Sequence, residues 1–155
     1  MPPPSVSPPI ALQCRGYPAV SVGGVAAPLK LKRGLALLVL QSEFARKVSR
    51  HQLADLLWPD APAEVGRARL RRLCHEVNGV LGVNLLVGDA DALWFAPGCV
   101  VESDVAQVRR CAQQLMASPA VAPARASIDL LLERDAHHVM AGFELDADSF
   151  NAWLD

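Results

Sequence analysis

Apolar residues recur along residues 64–82 with the period of a helix. Leu70, Leu73, Cys74, Val77 and Leu81 stand at i, i+3, i+4, i+7 and i+11. Successive helical side chains turn by about 100°, so these five fall on one face about 100° wide. Around the rest of the circle lie Arg67, Arg69, Arg71, Arg72, His75, Glu76 and Asn78, with the small Ala68 and Gly79 opposite the apolar side. The pattern predicts a helix over Glu64–Leu81 with a buried keel and a basic, lightly built outer face. The major groove of DNA admits such a helix, and arginine can fork onto guanine O6 and N7 there.

The pattern upstream is different. Ile10–Cys14, Pro18–Val22 and Val25–Leu29 are short apolar pieces separated by turn residues, and Gly23-Gly24 is a two-residue hairpin signal. They predict a small antiparallel sheet. Lys30, Lys32 and Arg33 then lead into a helix over Leu31–Phe44, whose apolar run is continuous and therefore expected to be buried nearly all round. Val48 precedes Ser49, with Gln52 three residues on, which is a capping box with an apolar residue ahead of it. The capped helix, Arg50–Trp58, turns Leu53, Leu56 and Leu57 inward, and Pro59 stops it. Two short helices in succession, the second carrying the arginines, read as a helix-turn-helix arrangement.

Downstream, Gly82 sits where a C-cap glycine belongs. Leu85–Val87 and Leu93–Phe95 flank a turn-rich stretch and predict a β-hairpin behind the basic helix; Cys99–Val101 can return as a strand edge. Ser103 or Asp104 is expected to cap a helix with Val105, Val108, Cys111, Ala112 and Leu115 inward. Residues 118–123 break it. A helix over Ala124–Arg134 follows, with Ile128, Leu131 and Leu132 apolar. The closing stretch Asp148–Leu154 carries Phe150, Trp153 and Leu154, which are expected to fold back onto Ala124–Arg134 or onto a partner.

Composition bounds the reading. The chain has 155 residues, 52% of them apolar, enough for a core. The longest uninterrupted apolar run, Leu35–Leu40, is too short to span a membrane. Residues 1–9 hold five prolines and two serines, a disordered lead-in without the charged and apolar regions of a signal peptide. A cytoplasmic, nucleoid-associated protein with no membrane partner is expected. The net charge of −1 conceals an asymmetry. Residues 1–82 carry eleven Lys/Arg against five Asp/Glu (+6), and residues 83–155 carry four against eleven (−7). A polyanion is the natural partner of the first half.

The four cysteines, 14, 74, 99 and 111, show no C-x-x-C spacing and read as reduced thiols, with no metal site. There is no G-x-S-x-G, H-E-x-x-H or phosphate-loop pattern, so neither catalysis nor a cofactor is expected. Asp135, His137, His138 and Ser149 lie around an apparent loop and read as solvated polar residues. Trp58 reads as a core residue, while Trp94 could equally stack or pack. The candidate DNA-binding residues are Lys30, Lys32, Arg33, Arg50, Arg67, Arg69, Arg71, Arg72 and His75.

Val48-Ser-Arg-His-Gln-Leu-Ala-Asp-Leu-Leu-Trp-Pro-Asp60 resembles the signature of SARP-type bacterial regulators. Arg69-Leu70-Arg71-Arg72 with Val77 and Leu81-Gly82 is similar to that family's recognition helix. Leu85-Leu86-Val87-Gly88-Asp89 is similar to its wing, and Val101-Glu102-Ser103-Asp104-Val105 to its exit into the bacterial transcriptional activator domain, BTAD. The likeness runs over about residues 10–155. It implies an α+β fold: an OmpR-type winged helix-turn-helix with an N-terminal antiparallel sheet, three helices and a C-terminal hairpin wing, plus a short α-helical TPR-like extension. In these terms residues 1–9 are a tail, 10–101 the DNA-binding domain and 102–155 a truncated BTAD-like segment. The resemblance also implies double-stranded DNA as partner and recruitment of RNA polymerase. The C-terminal helices are candidates for self-association or for contact with another regulator domain. The family commonly has Ser-Arg-Leu-Arg where this chain has His75-Glu76-Val77-Asn78, and its wing tip usually carries glycines and an arginine where this chain reads Asp89-Ala-Asp-Ala92. A winged helix working as a protein-interaction module without strong DNA binding is the alternative that these departures keep open.

Overall fold

The computed structural model describes residues 7–44, 46–117 and 139–155. The helix expected over Ala124–Arg134, the break at 118–123, and Asp135, His137 and His138 lie outside the described residues, as do the first six residues of the lead-in. Among the described residues the chain is mixed α+β, with five helices and two sheets.

Strand β1 (Ile10–Gln13) pairs antiparallel with β2 (Ala19–Val22), which pairs with β3 (Val25–Ala26). Gly23 and Gly24 make the β2–β3 turn at φ 59° and 82°, a conformation that side-chain-bearing residues adopt at a cost. β3 is shorter than the expected Val25–Leu29. Pro28 has no N–H to give a ladder, and Leu29 turns into the core instead. A fourth strand, β7 (Val101–Ser103), joins β1 in parallel, Ile10 opposite Val101. The returning strand thus begins two residues later than Cys99 and adds to the N-terminal sheet, giving the order β3-β2-β1-β7.

Helix α1 (Lys32–Phe44) is buried at every position from Gly34 to Gln41, as its unbroken apolar run requires. Helix α2 (Arg50–Leu57) starts at Ser49, whose hydroxyl accepts from the Gln52 amide at 3.4 Å. Leu53, Ala54 and Leu57 are buried, while Leu56, expected inward, is half-buried. Helix α3 (Ala63–Leu81) follows. The hairpin of β5 (Leu86–Gly88) and β6 (Ala92–Phe95) gains a third strand, β4 (Val48–Ser49), pairing Val48 with Leu93. Two residues carry no periodicity, so β4 exists only by virtue of its partner.

Of the two candidate caps for α4 (Asp104–Ala117), Ser103 does the capping, its hydroxyl accepting from Ala106 N at 3.0 Å. The Asp104 carboxylate accepts instead from the amides of Cys14 at 2.8 Å and Arg15 at 2.9 Å, tying α4 to the end of β1. The five α4 residues expected inward are half-buried.

The expected partner of the last stretch, Ala124–Arg134, lies outside the described residues. Phe143, Leu145, Ala147 and Phe150 are buried in the same core as the residues of α1, α2 and α3. Phe150 lies 6.0 Å from Phe143 and 5.7 Å from Trp153, and Trp153 lies 6.3 Å from Phe44, ring centre to ring centre. Helix α5 (Asp148–Leu154) therefore packs on α2 and the end of α1. The reason is area: aromatic side chains bury most where a large apolar surface already exists. One hydrophobic core holds residues from both sides of position 101. Among the described residues no helix is long and apolar enough to cross a membrane.

Candidate nucleic-acid interface

Helix α3 carries the basic face, and the core fixes how that face points. Leu70, Leu73, Cys74, Val77 and Leu81 are buried together with Gly66. Arg67, Arg69, Arg71, Arg72 and His75 are all exposed. Glu64 stands in the first turn, where a negative charge suits the helix dipole, and Gly82 ends the helix in the left-handed conformation.

Asn78 brackets α3 to the hairpin. Its amide nitrogen donates to the Leu86 carbonyl at 2.9 Å and to Asn84 Oδ1 at 3.0 Å, while its Oδ1 accepts from the amides of Leu85 at 3.1 Å and Leu86 at 2.9 Å. An arginine here could not accept those two amides. The departure from the family pattern at 78 is thus a structural bracket.

On one flank, α3 faces the start of α2 and the hairpin tip across an open cleft of about 500 Å³, lined by Arg50, Glu64, Arg67, Arg71, Asp89 and Ala90. Arg50 is half-buried here. Its Nε donates to the Asp89 carbonyl at 2.7 Å and its backbone amide to the Asp91 carbonyl at 2.8 Å. Its Nη1 is buried without a hydrogen-bond partner among the described residues. Gly88 makes this closeness possible, since a Cβ there would overlap the Ala92 carbonyl oxygen and press on the Arg50 guanidinium. Asp89 Oδ1 accepts from the amides of Ala92 at 2.8 Å and Asp91 at 2.9 Å. Those bonds, then Lys47 and Arg50, hold its carboxyl below the usual range. The hairpin sequence shows no cation, yet β4 brings one: Lys47 Nζ sits 4.2 Å from the centre of the Trp94 ring. Nothing in the sequence near Trp94 announces a residue 47 positions earlier.

On the other flank, α3 faces the start of α1. Arg69, Arg72 and Glu76 line a shallow cleft with Lys32, Arg33 and Trp58. The cations of α1 have main-chain partners. Lys32 Nζ donates to the Glu144 carbonyl at 3.3 Å. Arg33 donates to the Leu57 carbonyl at 3.1 Å and the Asp146 carbonyl at 2.8 Å, and lies 5.7 Å from the centre of the half-buried Trp58 ring. Lys30 is exposed. Seven of the nine cationic candidates thus form two groups astride α3, Arg50, Arg67 and Arg71 toward the hairpin and Lys32, Arg33, Arg69 and Arg72 toward α1.

Cys14 and Cys74 are buried, and burial pushes their thiols up to about 12 and about 11, so both stay protonated. The four cysteines are free. Among the described residues no three His, Cys, Asp or Glu side chains come together as metal ligands.

No model of a known family matches the chain, and no curated protein does. Among solved structures the chain is similar to Mycobacterium tuberculosis EmbR, in a complex with a low-affinity phosphopeptide, with a TM-score of 0.62 and 14% identity over 95% of this chain. The match spans 41% of that structure's length. A likeness at that identity shows a shared fold.

Proposed function

We propose that the chain is the DNA-binding part of a transcriptional regulator, an activator of the SARP type. In this reading β1–β3, α1–α3 and the β5–β6 hairpin are an OmpR-type winged helix-turn-helix, α3 is its recognition helix, and α4 and α5 belong to a BTAD- or TPR-like extension. The observation that carries it is α3 itself: four exposed arginines and His75 on a helix whose opposite face is fixed in the core. Arg72 and His75, beside the small Ala68 and Gly79, are the groove-facing residues, and a forked Arg on guanine supplies base reading. Arg50, Arg67 and Arg71 line the cleft by the hairpin, where a phosphate backbone fits; Lys30, Lys32 and Arg33 approach the backbone at the other edge. The shared fold with EmbR and the SARP-like motifs support the same reading. It assigns double-stranded DNA as partner, RNA polymerase as the recruited machine, the bacterial nucleoid as the place of action, and no catalysis.

The test is fluorescence anisotropy with labelled duplexes over a range of salt. Binding that weakens linearly in log salt, with a preferred sequence emerging from a random-library selection, is expected. Absence of salt-sensitive binding at low ionic strength overturns this reading and leaves the interaction-module alternative. That alternative has its own feature, an open groove of about 630 Å³ between α2 and α5 lined by Phe44, Leu56 and Trp153.

A further inference from the structure

The C-terminal segment crosses the start of α1 in an alternating pattern. Phe143, Leu145 and Ala147 are buried, and Glu144, Asp146 and Asp148 between them are exposed. Two-residue alternation on an extended segment puts one set of side chains in the core and the other in solvent. The exposed set is entirely acidic. Its register is fixed from several sides: Met140 N donates to the Cys14 carbonyl at 2.6 Å, Asn151 pairs with both the amide and the carbonyl of Leu145, and Lys32 and Arg33 hold the carbonyls of Glu144 and Asp146. The acidic strip is therefore anchored beside the very cations that line the α1 flank of α3 with Arg69 and Arg72.

We infer that this strip regulates the proposed DNA site as a built-in counter-charge: Glu144 and Asp146 bound one edge of the footprint and weaken its phosphate contacts on the α1 flank. The inference rests on the DNA-binding reading and deepens it. A carboxylate within a Debye length of a phosphate repels it, and that length is about 8–10 Å at physiological salt. Lys32 and Arg33 already spend one and two of their donors on main-chain carbonyls, which leaves fewer for a phosphate. The hairpin flank holds Arg50, Arg67 and Arg71 against only Glu64 and Asp89. The α1 flank holds Lys32, Arg33, Arg69 and Arg72 against Glu76, and the two strip carboxylates bring its larger cationic excess down to that of the hairpin flank.

The test compares two charge-matched variants of the full chain. Glu144→Gln with Asp146→Asn neutralises the strip and leaves Asp148, in the first turn of α5, in place. Glu102→Gln with Asp155→Asn neutralises two exposed acids in β7 and at the far end of α5. The strip variant is expected to bind a random duplex ~3–10-fold more tightly near 50 mM salt, with the gain fading as salt rises, and with an unchanged melting midpoint. The control pair is expected to give less than half of that gain. Lys32→Ala is expected to lower the salt slope by about one in the strip-neutralised background and by clearly less in the wild type. Equal gains from the two pairs, or no gain in a strip variant whose wild type binds DNA, overturn the inference while leaving the DNA site intact. Failure of both wild type and strip variant to bind overturns the DNA reading and the strip with it.

Discussion

The two flanks of α3 carry similar charge and use it differently. Toward the hairpin, Arg67 and Arg71 are exposed on an open cleft, and among the described residues Arg50 alone of the three is tied to main chain there. Toward α1, Lys32 and Arg33 both reach main-chain carbonyls, and the segment supplying two of those carbonyls carries outward acids. A cation beside a helix has more to offer a phosphate the fewer of its donors are committed. Counting arginines and lysines cannot separate the two cases; their partners do.

The largest expected effect removes the floor that both flanks share. Phe150→Ala is expected to cost about 3–5 kcal/mol in thermal unfolding, as truncation of a fully buried aromatic. Loss of near zero would mean that α5 does not belong to the common core, and the α1 flank would lose its acidic neighbour. Next comes Asn78→Ala, which strips the Leu86 amide of its acceptor and leaves Leu85 N only the Val83 carbonyl. About 1–3 kcal/mol of stability should go, and hydrogen exchange should rise in β5 while α1 is unaffected. Equal rises in both would show that the hairpin is not held independently.

The flanks are then compared directly. Arg71→Ala is expected to lower the salt slope of DNA binding by about one and to weaken all duplexes alike. Arg72→Ala should instead narrow the gap between preferred and random sequences by about 1–3 kcal/mol. A larger slope change from Lys32→Ala than from Arg71→Ala would reverse the assignment of the two flanks.

The smallest effect concerns the hairpin tip. The Asp89 carboxyl is held low by the amides of Ala92 and Asp91. A carboxyl whose folded value is depressed stabilises the folded state above its unfolded value, and that contribution disappears as pH falls through the folded one. Amide exchange at Asp91 and Ala92 should therefore accelerate relative to the α3 amides below about pH 4, and Asp89→Ala should show the same relative acceleration at neutral pH. An unchanged ratio in the variant would remove Asp89 from the turn.

The sequence itself determined the elements that obey a period. The five apolar positions of α3, the sealed run of α1, the Ser49 cap and the Gly23-Gly24 turn were legible because each is local: the spacing, the side-chain oxygen or the missing Cβ acts within a few residues. Only the tertiary structure decided the rest. β4 is two residues long and is a strand because Leu93 lies opposite Val48. Lys47 meets Trp94 through that pairing. Asn78 looked like a lost cation until β5 lay beside it, and Phe150 found its place in the main core because the largest apolar surface lies there. The basic face of α3 was readable from one helix; its division into an open flank and a guarded one was not. That division depends on carbonyls 112 and 113 positions away from the cations they bind, and no local pattern encodes a contact closed over such a length of chain.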